Sequence, residues 1–504
     1  MRRIIGILAF ILAVSSSLLA QQRQTDTVTI IHWNDFHAQN IPFNFVPRGN
    51  KDDAHMVGGD GIFAALIKQL RTATPNTIAL DGGDEVQGTP ISSITNGRSQ
   101  FDLLNEINPD AMVIGNHEFD YGMDSLRANM RLAKFPILCA NVKDDSTGKT
   151  LGLKYIIKQV GEVKVGVIGV TSPDLKHLVI GKNLVGEKLL DMDETIDDAV
   201  KEIREKEHPN LLILLSHEGI DDDSAEAVKH PEINIIVGGH DHHALQQPKV
   251  VGHTLIVEAG SRGQYVGRLA VAIDNDSWTI SGYKGQLFET VQNVIAPDPV
   301  VQKKVDAYEA VVNQTLSTVI GELKTSWSKE GNGGSVECNL GDFEADAFRI
   351  IPDNHADVAF VNTSGLRKTM EPGPIKIRDL WEINPFGNTL VYFTVGGDVF
   401  KKMMDFQATK TSLQISGIRY VEDSAKKLKS LTVGTKPVSD DAHYTIVTNN
   451  YITDHFADYF GFSPKEKDIN FMDSGMYDRD AVIGYVQQQK TISTVTDGRI
   501  KLIP

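Results

Sequence analysis

With 504 residues, 41% of them hydrophobic and 23% charged, the chain has the makeup of an ordinary globular protein of about two to three domains. Its formal net charge of −16 excludes general electrostatic binding of polyanions such as a nucleic-acid polymer. Any phosphate it handles must be met by local devices, metals or one or two arginines, and its two cysteines, Cys139 and Cys338, exclude a disulfide framework while permitting a single bridge.

The first twenty residues, MRRIIGILAFILAVSSSLLA, read as a secretory signal: a basic start at Arg2 and Arg3, a short apolar run and a small-residue end before the polar QQRQ. The alternative is a membrane anchor, for which the run is short. No cysteine lies near its end, which argues against lipoprotein attachment. Losing Arg2 and Arg3 with residues 1–20 moves the net charge from −16 to −18. The chain is therefore expected to be exported, periplasmic or extracellular, with no membrane-spanning segment in its mature part.

From residue 27 to about 290, apolar runs of strand length recur: VTIIHW, TIALDG, AMVIG, VKVGVIGV, LLILLSH, INIIVGG and TLIVEAG. Helical stretches such as GIFAALIKQLRTA and DETIDDAVKEIREKE separate them. Short apolar strands alternating with helices predict a layered α/β domain whose helices cover the sheet. At APDPVVQKKVDAYEAVV a turn and cap signal opens a helical period, predicting a connecting helix over 297–316. A second mixed region begins near residue 320 and contains GDFEADAFRI, ADVAFVNTSGLR, DLWEINPFGNTLVYFTV and HYTIVTNNYITDHF. Internal repeats and low-complexity tracts are not evident.

In the first region the apolar strands keep ending in residues that bind metals. HWNDFH carries Asp35 and His37, two apart and so on one side of an extended chain, whereas His32 and Asn34 have the opposite parity and His32 reads as structural. DGGDEVQGT brings Asp81 and Asp84 beside glycines that let the backbone approach closely. GNHEFDYG brings Asn116 and His117, although Asn116 and Glu118 equally suit a helix start. LLILLSHEG ends in His217, and INIIVGGHDHH ends in His240 and His242, again two apart. Each alone has a mundane reading. Together, five strand ends, all carboxyl-terminal, carry His, Asp or Asn, and in open α/β sheets that is where sites form. Two divalent ions need about eight such contacts, with one carboxylate between them, to activate a water and absorb charge in an in-line displacement at phosphorus. Imidazole, carboxylate and amide without thiolate suit Zn, Mn, Fe or Co and do not choose among them.

The motifs IIHWNDFH, LDGGDEVQGT, VIGNHEFDYG, LLSHEG and VGGHDHH, in this order and spacing, resemble those of metallophosphoesterases of the 5'-nucleotidase type. The later KIRDLWEINPFGNTLV resembles a motif of that family's C-terminal domain, so the resemblance spans essentially the whole mature chain. It implies an α/β fold: an N-terminal metallophosphoesterase domain (24–292) of layered mixed β-sheets flanked by helices, a linker helix (293–319) and an α+β C-terminal domain (320–504), after the signal at 1–20. It implies that Asp35, His37 and His242 bind one metal, that Asn116, His217 and His240 bind the other, and that Asp84 bridges them. His117 is then no ligand. It stabilises phosphoryl charge or assists the leaving oxygen and is held by Asp120, an arrangement that favours imidazolium.

The second domain departs further from the family, which grips a nucleotide with arginines and stacks the base between two aromatic rings. VNTSGLR keeps Asn362 and Arg367, so Arg367 is expected to contact the phosphate or the substrate body. TSLQISGIRY resembles the segment bearing the first stacking ring, with Ser412 at that position, and a serine cannot stack. TNNYITDHFADYFGF replaces a glycine-rich turn, and Asp458 and Phe460 are the nearest equivalents there, with Phe456 and Phe460 equally suited to the core. The expected activity is a dinuclear-metal phosphohydrolase acting on a small phosphorylated substrate, first a nucleoside 5'-monophosphate. Alternatives are a 2',3'-cyclic-nucleotide phosphodiesterase/3'-nucleotidase, a nucleotide-sugar hydrolase, a non-nucleotide phosphoesterase, or a silent binding protein.

Overall fold

The computed structural model describes residues 25–45, 53–179, 181–331, 337–350, 356–410 and 412–503. The expected signal at 1–20 lies outside them. Twelve strands of the first domain form two six-stranded sheets. In chain order they are β1 (Thr25–Trp33), β2 (Thr77–Asp81), β3 (Ala111–Val113), β4 (Ile137–Leu138), β5 (Tyr155–Val160), β6 (Val163–Thr171), β7 (Leu211–His217), β8 (Ile235–Val237), β9 (Lys249–Val251), β10 (Thr254–Val257), β11 (Tyr265–Asp274) and β12 (Ile280–Glu289). One sheet runs β12-β11-β1-β2-β3-β4 and the other β9-β10-β8-β7-β6-β5. The pairs β1/β2, β2/β3, β6/β7 and β7/β8 are parallel, so their carboxyl ends open toward one edge.

The alternation of a strand explains the layers. On β1, Val28 and Ile30 face an inner core shared with Val165, Val167, Ile213 and Leu215 of the other sheet. Ile31 and Trp33 face outward, onto Phe63 and Ile67 of the helix Asp60–Ala73. The second sheet is covered by the helix Met192–Glu207 through Ile196, Ala199 and Ile203. The result is helix, sheet, sheet, helix, with strands apolar on both faces because both are covered.

The connecting helix spans Pro299–Leu316. Beyond it a five-stranded mixed sheet has the order Leu413–Ser416, Val358–Asn362, His443–Asn449, Thr389–Gly396, Met472–Tyr477. Helix Asn339–Ile350 packs on it through Phe343, Ala347 and Phe348. Both cysteines are buried free thiols, Cys139 in the first domain's core and Cys338 in the second's, so no bridge joins them. Among the described residues no helix is long and apolar enough to cross a membrane.

Candidate active site

The loops that follow β1 and β2 are laced together by their backbones. Asp35 N–H donates to the Gly83 carbonyl (2.8 Å), His37 N–H to Asp84 (3.0 Å) and Ala38 N–H to Glu85 (2.9 Å). Asp35, His37, Asp84, His240 and His242 all have φ between 50° and 91°, the left-handed region that residues with a side chain rarely occupy. The backbone thus leaves the extended form directly after each strand. Asp35 and His37 come together through these turns and not through the strand parity that the two-residue spacing suggests. The same holds for His240 and His242, which lie three and five residues beyond the end of β8.

The side chains converge in two groups. In the first, His37 Nε2 lies 3.0 Å from His242 Nε2, and Asp35 Oδ1 lies 3.3 Å from His242 Nε2 and 3.7 Å from His37 Nε2. In the second, His217 Nε2 lies 3.1 Å from Asp84 Oδ2, and His240 Nδ1 lies 3.0 Å from Asn116 Oδ1. Asp84 belongs to both neighbourhoods, since His37, Asp84 and His117 also offer atoms within 4.8 Å of one another. Gly115 permits this approach: a Cβ there would stand 2.2 Å from Asp84 Oδ1.

Neighbours that sequence reasoning passed over hold these groups in place. Asn34 donates to Asp35 Oδ2 (2.7 Å) and to the Gly260 carbonyl (2.7 Å), which leaves Asp35 Oδ1 without a hydrogen-bond donor. His217 Nδ1 donates to the Gly82 carbonyl (2.7 Å), so its Nε2 is aimed at Asp84. Glu118 is no ordinary first-turn acid. Its carboxylate accepts from the N–H groups of Gly115 (2.7 Å), Asp84 (3.0 Å), Glu85 (2.9 Å) and Val86 (3.3 Å), clamping the loop that carries Asp84. Burial and the Asp84 charge push Glu118 up to about 7, against the pull of those donors. His32 is buried at Gly267, and burial holds its pKa down at about 3, so it is a neutral packing residue. Asp81 accepts from the Gly83 N–H (3.0 Å) and is raised well above the carboxylate range by burial.

His117 opens a short 3-10 turn, His117–Phe119. Asn116 makes no side-chain cap there and points its amide at His240 instead. His117 Nδ1 pairs with Asp120 Oδ2 at 2.7 Å, and its Nε2 lies 4.0 Å from Asp84 Oδ2. Burial disfavours the imidazolium, but Asp120 and Asp84 outweigh it and raise the pKa above the ordinary histidine value.

All of this faces a cavity of about 480 Å³ between the two domains. The second domain lines it from the carboxyl ends of strands and the loops beside them: Asn362, Arg367, Phe386, Tyr451, Tyr477 and Arg479. Arg367 stacks over Phe386 (5.6 Å) and feels Asp84, Asp120 and Asp35. The expectation for Phe460 and Asp458 is corrected. Phe460 is buried against Phe360 and Phe456, because the segment folds into the helix Phe456–Phe460 and turns that ring into the core. Asp458 lies exposed on that helix and does not line the cavity. Ser412 is away from the cavity too, its carbonyl taken by Thr363. The ring that meets the site is Phe386, held in INPFGN between a proline and a glycine, 6.0 Å from the His117 ring. An aromatic residue placed in a turn, inside a motif already resembling the family's, is the signal that could have found it.

Two stacked mixed sheets with acids, imidazoles and an amide at their strand ends define a metallophosphoesterase. The pattern of calcineurin-like phosphoesterases matches residues 28–244, and that of the 5'-nucleotidase C-terminal domain matches residues 319–462. The chain belongs to the 5'-nucleotidase family and is a metal-dependent phosphoric ester hydrolase. It is 28% identical over 530 residues to human 5'-nucleotidase, covering 94% of this chain and 90% of that protein. It is 26% identical over 530 residues to an apyrase of Tabanus yao, covering 94% of each chain. The 5'-nucleotidase precursor of Thermus thermophilus superimposes with a TM-score of 0.82 at 28% identity over 95% of this chain and 99% of that one.

Proposed function

We propose that the chain is an exported 5'-nucleotidase that binds two divalent ions and releases phosphate from nucleoside monophosphates. The observation that carries this is a crowded set of lone pairs. Asp35 Oδ1 is buried without a hydrogen-bond partner, His217 Nε2 stands 3.1 Å from Asp84 Oδ2 with its other nitrogen tied to Gly82, and two imidazole nitrogens face each other at 3.0 Å beside a carboxylate. Such a donor set fits cations and little else. Asp35, His37 and His242 would hold one ion, Asn116, His217 and His240 the other, with Asp84 between them. When bound, the ions supply Lewis acidity to the phosphoryl oxygens and to the attacking water.

The chain's own residues do the rest. Asp120 fixes the His117 tautomer and favours the imidazolium, so His117 Nε2 can donate to a phosphoryl oxygen or to the departing ribose oxygen. Arg367 places a fixed cation at the same end of the cavity. Phe386 offers a flat face for the organic part. The nucleotide reading is further supported by the names of relatives, 5'-nucleotidase and apyrase. Export is supported by the leader-like residues 1–20.

Phosphate release from nucleoside monophosphates tests the proposal. Strong chelation should abolish it and added Mn or Zn should restore it. Full activity in exhaustively demetallated protein would sink the metal role. His117→Asn should keep both ions by metal analysis while kcat falls about 10²–10⁴-fold, the scale of a positioned acid–base group. Loss of an ion in that variant would make His117 a ligand instead.

A further inference from the structure

We propose that Arg479 reads the far end of the substrate and selects nucleotides whose base presents an oxo group there. This rests on the nucleotidase reading above. Arg479 lies in the first turn of the helix Asp478–Gln489 and lines the same cavity as His117 and Arg367. It is only 9% exposed. Its guanidinium lies 3.9 Å over the Trp381 ring and 5.4 Å from that of Tyr477, a cradle of aromatic faces that favours a cation. Nη1 donates to the Phe386 carbonyl at 3.2 Å, which ties it to the ring facing His117. Nε has no hydrogen-bond partner, and among the described residues Nη2 has none and no carboxylate lies within 4.0 Å. The adjacent Asp478 carboxylate is turned to the backbone N–H of Arg479 at 2.7 Å. Where Arg367 serves the end of the cavity governed by Asp84 and Asp120, Arg479 keeps N–H groups to give beyond the one taken by Phe386.

A guanidinium has donors only. An amino group at the base edge, as in adenine or cytosine, would set donor against donor. The oxo group of hypoxanthine, guanine or uracil accepts, and it is the partner arginine takes on base edges elsewhere. Sites built around one unpaired polar group reject the mismatched analogue far more steeply than apolar walls do.

The test uses the full-length enzyme with Mn. It measures kcat and KM for IMP, AMP, UMP, CMP and an aryl phosphate, in the wild type and in Arg479→Gln, whose amide can turn either way. The wild type is expected to favour IMP over AMP and UMP over CMP about ten- to hundredfold in kcat/KM, mostly through KM. In Arg479→Gln both ratios should fall toward one. Four nucleotides hydrolysed equally well by the wild type would overturn this inference alone, and so would ratios that persist in the variant. Because the wild-type ratios already decide, a variant that fails to fold does not rescue the idea. Four nucleotides all poorer than the aryl phosphate would overturn both this inference and the nucleotidase reading.

Discussion

Asp35, His37, Asp84, His240 and His242 hold left-handed backbones within one site, at a cost of order 1–3 kcal/mol each. Such strain persists only where the surroundings dictate it, and here they do so through buried hydrogen bonds. These residues were legible in the sequence as types at strand ends. Their geometry was not, because a spacing of two suggests an extended chain and the real chain turns. Glu118 was misread for a related reason: a glutamate after a glycine and an asparagine looks like a helix start, and no local pattern reveals that four N–H groups from two loops converge on it. Glu118→Gln sets an amide NH₂ against two of those donors. Each stranded buried donor costs about 1–3 kcal/mol. Because the clamp positions Asp84, metal affinity should fall about 10–100-fold as well. A chelator competition titration and a thermal melt read both effects, and unchanged metal affinity would show that Glu118 does not position Asp84.

The helix Pro299–Leu316 was legible almost to its ends because its start signal is local. Asp298 accepts from the N–H groups of Val300 (3.0 Å) and Val301 (3.1 Å), with Pro299 at the first helical position. What the sequence did not show is how the helix is seated. Val301 and Val305 enter the first domain's core, while Val312 and Leu316 meet Ile91 at the junction with the second. Partial desolvation opposes ionisation of Asp298, but Lys68 and the two N–H groups hold it below the ordinary carboxylate value. A depressed carboxylate stabilises the fold fully above its unfolded value, about 4, and that stability is lost as pH falls through the folded value. Asp298→Ala should therefore cost about 0.5–2 kcal/mol at neutral pH. The half-exposed Lys68 pair adds little to this. Denaturant melts at pH 7 and pH 3 should show the gap between variant and wild type narrowing in acid. A gap that widens would mean the residue does not act through its charge.

A chain of net charge −16 has gathered Arg367 and Arg479 along a single cavity, with Arg262 bridging to the Arg367 carbonyl at 3.0 Å from the first domain. An acidic chain and these cations are compatible because the cations are few, local and at least partly buried. On the function proposed above, the two domains divide the labour. The first domain brings the Asp, His and Asn side chains, and the second brings Arg367 and Phe386 across the gap. Their separate roles predict a crossed pattern between two substrates, a nucleoside monophosphate and glycerol phosphate, which shares the phosphoryl group but has no ring. Arg367→Ala removes a charge that both substrates meet, so kcat/KM should fall for both, about 10²–10³-fold, as when one preorganised charge-stabilising donor is lost. Phe386→Ala removes only a platform. A stacked base contributes about 1–3 kcal/mol, so KM for the nucleotide should rise about 5–150-fold while KM for glycerol phosphate stays within about twofold. Steady-state kinetics of both variants on both substrates decides the matter. If Phe386→Ala raised both KM values alike, the ring would be acting on His117, 6.0 Å away, and not on the substrate's base. If neither variant changed the nucleotide KM, the second domain would bind substrate through other residues.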